Sequence, residues 1–222
     1  LFKSLKSDPE KTLDAICMIA DAALVVVVNP KSPVTTLLEL VAEAKKRPGE
    51  LTYASASNGS ASHLAAALLG QATGTKSRHV AYRGAAPALN DLVGAHVDFM
   101  ITTIPSVAGL IESGTLRALA VTSAQRASSL PKVPTAIEAG LPQFVASTWY
   151  GLLGPKGLPV AIRQTLEDAA METLKLLELV AKLKDDGAEP SDMRAQAFAA
   201  YIAKERQRWG EIVKAAEIRI GE

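Results

Sequence analysis

Three segments between residues 51 and 111 repeat one pattern: a short apolar strand, a loop of small residues and the first turn of a helix. The loops are Ser55–Ser60, Arg83–Pro87 and Thr102–Ser106. Strands that alternate with helices of this length predict right-handed crossovers and a parallel sheet. If the strands are parallel, all three loops lie at one edge of one sheet, where open α/β sheets bind ligands.

The three loops have the chemistry of an anion site. Amide N–H groups in the first turn of a helix have no partner within the helix, and the helix dipole favours negative charge there. Arg83 is the only charged residue in the loops. The pattern therefore indicates a small anion held mainly by amides and hydroxyls, rather than by a cluster of basic side chains.

The composition narrows the class of protein. Hydrophobic residues make up 48% of the 222 residues and aromatic residues only 5%. The interior must therefore be built mainly from Ala, Val, Leu and Ile, which suits α/β layers better than a β-sandwich. The net charge of +1 offers no case for nucleic acid or for an acidic membrane surface.

The sequence contains no motif for a metal or a nucleotide. Cys17 is the only cysteine, so two-cysteine metal motifs are excluded, and a small buried side chain is its simplest interpretation. No second His or carboxylate stands at metal-ligand spacing from His63. The loop at 55–60 lacks the phosphate-binding and dinucleotide-binding glycine patterns. We expect no cofactor and no metal.

The sequence shows neither a membrane-spanning segment nor a recognisable signal peptide. No apolar run is long enough to insert in a membrane as a spanning helix. We recognise no signal peptide, so we expect either a cytoplasmic protein or a mature or truncated exported one.

Local signals predict several elements outside the three repeats. Pro33 to about Lys46 is expected to be a helix, with Ser32 as its N-cap. A short helix is expected at 134–140 and a strand at Phe144–Leu153. Most of the remaining chain shows helical stripes, interrupted at 186–190.

The order of elements predicts two lobes. The β-branched run Ala22–Val28 indicates a strand buried on both faces, which is typical of parallel sheets. We expect one lobe at 31–146 and a discontinuous lobe formed by 1–30 and 147–222. Ala22–Val28 and Ser147–Leu153 would then connect the lobes, as in a hinged binding protein with its ligand in the cleft.

Five stretches stand in a specific order along the chain: Leu51–Leu64, Val80–Leu89, Gly114–Thr122, Val133–Pro142 and Trp149–Leu153. Together they resemble the substrate-binding family of tripartite tricarboxylate transporters, also called the Bug family. The resemblance implies an α/β, two-lobed periplasmic binding protein of type II-like, venus-flytrap architecture, with parallel-rich sheets flanked by helices. It also implies capture of a small carboxylate for membrane permease subunits or for a sensor.

The chain departs from that family in two places. Relatives begin with a signal peptide and a strand that ends in a Pro- and Gly-rich loop, which grips one ligand carboxylate, and nothing here matches that segment. We therefore expect the chain to bind ligand poorly and to expose apolar surface. At Thr102–Thr103, relatives often have an acidic residue, and its replacement here favours a plain carboxylate ligand over an amino acid.

The resemblance places the ligand against the loops Ser57–Ser60, Tyr82–Ala85 and Thr102–Thr103. His63, one turn into a helix, and Trp149, on a connecting strand, complete the set of candidate ligand-binding residues. These candidates are Ser57, Asn58, Gly59, Ser60, His63, Tyr82, Arg83, Gly84, Ala85, Thr102, Thr103 and Trp149.

Most of these candidates also have a purely structural interpretation. Ser57–Ser60 has the composition of an ordinary turn with an N-cap. His63 fits a capping or core histidine, and Tyr82 fits a side chain packed on the lobe surface. Arg83 would pair with a second carboxylate of a diacid, but solvent-facing arginines are commoner. Trp149 is favoured over Tyr150 as the residue that lines the cleft.

Two other functions stay open at this point. The first is a small-molecule hydrolase or transferase on a parallel α/β sheet, although the nucleophile-elbow motif is missing and only His79 and His96 remain as further bases. The second is a truncated, non-binding remnant that persists as an oligomer. We expect a binding protein rather than an enzyme.

Overall fold

The computed structural model describes residues 8–219. Its strands are β1 (Leu13–Val28), β2 (Thr52–Ser55), β3 (Arg78–Ala81), β4 (Phe99–Thr103), β5 (Arg117–Val121), β6 (Ser147–Pro155) and β7 (Ala188–Pro190). Its helices are α1 (Pro9–Thr12), α2 (Leu37–Lys46), α3 (Ala61–Thr73), α4 (Ala85–Val93), α5 (Ala108–Glu112), α6 (Val160–Thr173), α7 (Leu177–Asp185) and α8 (Ala195–Ala215). A 3₁₀ turn at Ile104–Ser106 precedes α5.

The long strand β1 belongs to two sheet regions. Its carboxyl-terminal part, Leu24–Val28, lies between β4 and β5 in a region with the order β3-β2-β4-β1-β5. Its amino-terminal part, Leu13–Ala23, pairs with β6 and β7. The two regions are therefore joined through one continuous strand of 16 residues.

The sequence prediction for Ala22–Val28 was half right. These residues form a strand whose members are at most 5% exposed. The strand is antiparallel to β4, β5 and β6, however, and not part of a parallel pair. Helices cover both faces of this sheet region, so a continuous apolar run reports burial on two faces and does not fix strand direction.

Several helix boundaries also differ from the predicted ones. The helix predicted from Pro33 begins at Leu37, because Thr36 and Glu39 form a capping box. Residues 134–140 form turns and not a helix, while 186–190 contains β7. In that turn segment, the Thr135 amide hydrogen-bonds to Glu138 and Thr135 bridges to Val121.

Two apolar layers hold the first sheet region. On one face, α2 and α3 pack Leu40, Leu69 and their neighbours against Val26. On the other face, α4 packs Leu92 against Val25. This three-layer arrangement confirms the α/β class and leaves the carboxyl ends of β2, β3 and β4 free to carry a site.

The junction between the two sheet regions contains a buried hydroxyl. The Thr122 hydroxyl donates to the Ala146 carbonyl oxygen at 2.6 Å and accepts from the Leu24 amide at 3.1 Å, and it also lies 3.1 Å from the Leu24 carbonyl oxygen. The division into lobes at 31–146 and at 1–30 with 147–222 stays a prediction, and residues 1–7 and 220–222 lie outside the described residues. Ile212 of α8 packs in the core cluster of the first sheet region, so this helix reaches across the predicted boundary.

Apolar side chains are exposed on the second sheet region and the helices that follow it. Tyr150 on β6 is 51% exposed, Val160 on α6 is 69% exposed, and Leu177 on α7 is 86% exposed. Exposed apolar side chains also occur elsewhere, as at Leu38, so the expected apolar surface left by an absent segment stays a prediction.

Candidate functional site

The three loops lie next to one another. Strand β2 is parallel to β3 on one side and to β4 on the other, so the carboxyl ends of all three strands meet at one edge. The first two loops are tied by backbone hydrogen bonds from the Tyr82 amide to the Ser55 carbonyl, at 3.0 Å, and from the Gly84 amide to the Ala56 carbonyl, at 2.8 Å. The sequence prediction of a shared edge is confirmed.

Serine hydroxyls brace the first loop from within. The Ser60 side chain donates to the Ser57 carbonyl at 2.7 Å and accepts from the Ser57 amide and, as N-cap of α3, from the His63 amide. The Ser62 hydroxyl accepts from the Ala56 amide at 3.1 Å. The loop amides of Ala56 and Ser57 are therefore satisfied internally, while those of Ala61 and Ser62, in the first turn of α3, have no partner among the described residues.

Two histidines, His63 and His79, pack against the first loop. His63 is only 7% exposed, and its Nδ1 accepts a hydrogen bond from the Gly59 amide at 3.1 Å. Its ring stacks on His79 at a centroid distance of 3.8 Å, and His79 stacks on Tyr53 at 4.9 Å. Burial lowers the pKa of His63, and burial together with the neighbouring His63 ring lowers the pKa of His79 to about 4. His63 thus has the core and capping role that the sequence left open.

The start of α4 has no side-chain cap. Gly84 is its N-cap, with φ 117° and ψ 169°, a backbone conformation that essentially only glycine adopts. The amides of Ala85 and Ala86 have no partner among the described residues. Arg83 is exposed beside them. Two free amides at the positive end of a nine-residue helix form a site suited to an oxyanion.

The third loop contributes hydroxyls. Thr102 is 5% exposed and points into the protein interior, whereas Thr103 is partly exposed, so strand alternation leaves Thr103 at the edge. The Thr103 hydroxyl lies 2.8 Å from that of Ser106. The polar groups at the carboxyl end of β4 are therefore neutral hydroxyls and not carboxylates.

Two aromatic candidates pack elsewhere. The Tyr82 hydroxyl donates to Asp91 of α4 at 2.6 Å, which holds the tyrosine side chain against that helix. Trp149 lies edge-on to Phe198 of α8, at a centroid distance of 5.4 Å, because alternation on β6 directs it to that helix. Tyr150 on the same strand is the exposed one, the reverse of the predicted assignment.

Sequence reasoning missed Ser62 and His79 as supports of the site. Ser62 closes the first loop through Ala56, and His79 reaches Ser55 with Nε2 at 2.6 Å. Ser62 stands two residues after the N-cap, where a serine reads as an ordinary helix residue. His79 sits in the neighbouring parallel strand, two places before its end, so only the register of β2 with β3 reveals the contact.

The assembled edge brings together groups that donate hydrogen bonds. Its groups are free amides, hydroxyls and one guanidinium, and the three loops contain no carboxylate that would repel an anion. Within residues 8–219 there is no cluster of three His, Cys, Asp or Glu side chains that would hold a metal. The helices within that range are all too short or too polar to cross a membrane.

The mixed sheet flanked by helices is the fold of known solute-binding proteins. The profile of the family described as "Tripartite tricarboxylate transporter family receptor" matches residues 1–218, and the chain belongs to that family. The similarity includes protein BugT of Bordetella pertussis, 37% identical over 213 residues, which are 95% of this chain and 65% of that protein. It also includes a Pseudomonas protein encoded between tcbD and tcbE, 35% identical over 89% of this chain and 59% of its own length.

Solved relatives share the fold. Rpa4515 of Rhodopseudomonas palustris, with adipate, superposes with a TM-score of 0.88 at 32% identity, over 98% of this chain and 73% of that one. MatC of the same organism, with bound malate, gives 0.82 at 28% identity, over 96% and 74%. The periplasmic binding protein BugD gives 0.83 at 30% identity, over 99% and 74%. The family and these neighbours are substrate-binding proteins and not enzymes, as the sequence analysis expected.

The chain spans 65% of the length of BugT and 59% of the length of the Pseudomonas relative. The match therefore shows the family and the fold, while ligand, partner and cellular location belong to the proposal that follows.

Proposed function

We propose that the starts of α3 and α4 form part of a carboxylate-binding site in a periplasmic solute receptor. The single observation that carries the proposal is the shared edge of β3, β2 and β4, where the starts of α3 and α4 place unpartnered amides side by side. One carboxylate of the ligand would lie against the Ala85 and Ala86 amides, with the Thr103 hydroxyl nearby. Such charge-assisted hydrogen bonds are roughly twice as strong as neutral ones.

The proposed ligand is a plain di- or tricarboxylate. The edge of β4 ends in Thr103 and has no acidic side chain, so nothing in the three loops selects for an ammonium group. Arg83, exposed just before α4, would pair with a second carboxylate. The adipate and malate of the solved relatives support this class of ligand.

The proposed partners follow from the family. We infer that the loaded receptor is recognised by the membrane permease subunits of a tripartite tricarboxylate transporter, or by a sensor. Capture would occur in the periplasm, between lobes at 31–146 and at 1–30 with 147–222. Strand β1, which pairs in both sheet regions, would act as one of the connecting segments.

A hydrolase is the second candidate, because Ser55 and His79 lie 2.6 Å apart. The geometry argues against it. The Ser55 hydroxyl lies 2.6 Å from His79 Nε2 and 3.0 Å from the Ser57 carbonyl oxygen, so this hydroxyl is already engaged by groups inside the protein. Ser55 is also fully buried. The pair is a structural brace under the loop.

Thermal unfolding in the presence of carboxylates tests the proposal. Adipate, malate and citrate should raise the melting temperature saturably at constant ionic strength, while 1,6-hexanediol, the neutral analogue of adipate, should not. Equal shifts with adipate and hexanediol, or turnover of any of these compounds, would contradict it.

A further inference from the structure

A large cavity lies on the α2–α3 side of the first sheet region. Its volume is about 750 Å³, within the range of small-molecule sites. Helix α2 lines it with Leu40 and Val41, α3 with Leu69, and the sheet with Phe99. Apart from His63, none of the residues proposed above for the carboxylate site lines this cavity. The cavity is therefore distinct from the proposed carboxylate site.

Two buried hydrogen-bond donors line the same cavity. Tyr53 and His63 are each only 7% exposed. The Tyr53 hydroxyl has no hydrogen-bond partner among the described residues, and burial raises its pKa to about 12, so it stays protonated. Because His63 Nδ1 accepts from the Gly59 amide, the ring proton lies on Nε2, which also has no partner among residues 8–219.

The Tyr53 hydroxyl and His63 Nε2 line the cavity without a protein partner among the described residues, so both are available to donate to an acceptor on a bound molecule. The acceptor is uncharged for two reasons. The cavity contains no buried cation, and burying a carboxylate against apolar walls without one is strongly unfavourable. Lys76 and Glu217, the charged residues that line it, are both exposed and have opposite signs.

We propose that this cavity binds a neutral, largely apolar molecule that carries a carbonyl oxygen, such as an aromatic amide or ketone. The carbonyl oxygen accepts from the Tyr53 hydroxyl and from His63 Nε2, while the apolar body packs against Leu40, Leu69 and Phe99. A bond at Nε2 also fixes the tautomer of His63 that holds the Gly59 amide. Occupancy of the cavity therefore stiffens the loop that precedes α3.

Benzamide is the probe that tests this site. Saturation-transfer NMR should show contact between benzamide and the chain, and calorimetry should give saturable binding. Benzoate, with the same ring and a charge, should bind at least tenfold more weakly. Tyr53→Phe keeps the ring and its stacking but should weaken benzamide binding roughly three- to tenfold. Tyr150→Phe, which removes an exposed hydroxyl outside the cavity, is the matched control and should change nothing.

A second variant keeps the test sharp if Tyr53→Phe alters folding. Ala67→Trp places a large ring in the cavity from a partly buried position and should abolish benzamide binding, whereas Leu38→Trp, on the exposed face of α2, should not. Circular dichroism confirms that each variant is folded. Benzoate binding as tight as benzamide binding, equal benzamide affinity in the parent chain and Tyr53→Phe, or no saturable binding would overturn the proposal. None of these results bears on adipate binding at the sheet edge.

Discussion

The imidazole rings of His63 and His79 lie face to face beneath the first loop, with centroids 3.8 Å apart. The Nδ1 of His63 accepts from the Gly59 amide, and the Nε2 of His79 lies 2.6 Å from the Ser55 hydroxyl. Burial lowers the pKa of both rings, which favours their neutral forms in the folded state. A positive charge on either ring would be poorly solvated and close to the other ring. The loop therefore rests on a pair of groups that resist protonation.

This stack predicts a specific pH dependence of stability. The pKa of His79 is lowered from 6.5 to about 4 by folding, so between these values the unfolded chain binds more protons than the folded one. Stability should be fully present above pH 6.5, fall as the pH drops and level off near pH 4. We expect a loss on the order of 1 kcal/mol, because His79 is only half-buried and solvent screens its charge.

Urea denaturation at several pH values measures this effect against variants. His79→Gln keeps a donor at the Nε2 position and should flatten the difference between pH 7.5 and pH 4.5. His96→Gln, at the exposed third histidine of the chain, should leave the profile unchanged. A His79→Gln profile identical to that of the parent would show that the stack does not control it.

Ser60 should combine a stability role with a binding role. Removing its hydroxyl in Ser60→Ala takes away the N-cap of α3 and the bond to the Ser57 carbonyl, which should cost about 1 kcal/mol. Because the loop loses its brace, adipate affinity should also fall. Thr36→Ala removes the comparable cap of α2 at a similar cost, but it should leave adipate binding unchanged. Equal effects of the two variants on binding would argue against a role for the first loop.

Gly84→Ala tests the open start of α4. A Cβ at φ 117° is strained, and the first-turn amides would tilt away from their positions, so we expect a loss of about 1–2 kcal/mol together with a loss of adipate binding. Gly49→Ala is the matched control, since Gly49 also has positive φ, at 81°, and has open space around it. It should lower the melting temperature without altering the affinity per folded molecule.

The Thr122 hydroxyl should be important for the junction of the two sheet regions. Thr122→Val preserves shape but leaves the Leu24 amide and the Ala146 carbonyl without this partner, which should cost about 2 kcal/mol. Thr165→Val, on exposed α6, should cost less than about 0.5 kcal/mol. Urea denaturation distinguishes the two. A loss for Thr122→Val no larger than for Thr165→Val would mean that the junction does not depend on this hydroxyl.

Local patterns in the sequence were sufficient for the repeated strand–loop–helix units and their shared edge. Gly84 and Ser60 stand where the helices begin because caps are encoded locally, within a few residues. The direction of β1 was not encoded in this way. An apolar run such as Val25–Val28 reports only that both faces are buried, and its antiparallel pairing depends on a crossover from a distant part of the chain.

The side chains at the sheet edge also differ in how far local sequence predicts their contacts. The turn at Gly84 was predictable because glycine is the residue type that it requires. The hydrogen bond between Tyr82 and Asp91 was not predictable, because it depends on which face of α4 packs against the tyrosine. Trp149 and Tyr150 alternate on β6, so the assignment of one to the interior depended on the position of α8, which no local pattern reveals. Residues that act through long-range contacts, such as His79, were therefore the ones that sequence reasoning missed.

The most direct measurement is a titration of the ¹⁵N-labelled chain with adipate, followed by amide chemical shifts. The amides of Ala85 and Ala86, and of Ala61 and Ser62, should shift saturably with one common affinity at constant ionic strength. Matched titrations with 1,6-hexanediol should leave them in place. If these four amides stay unmoved by adipate, or move equally with hexanediol, the helix starts do not form a carboxylate site.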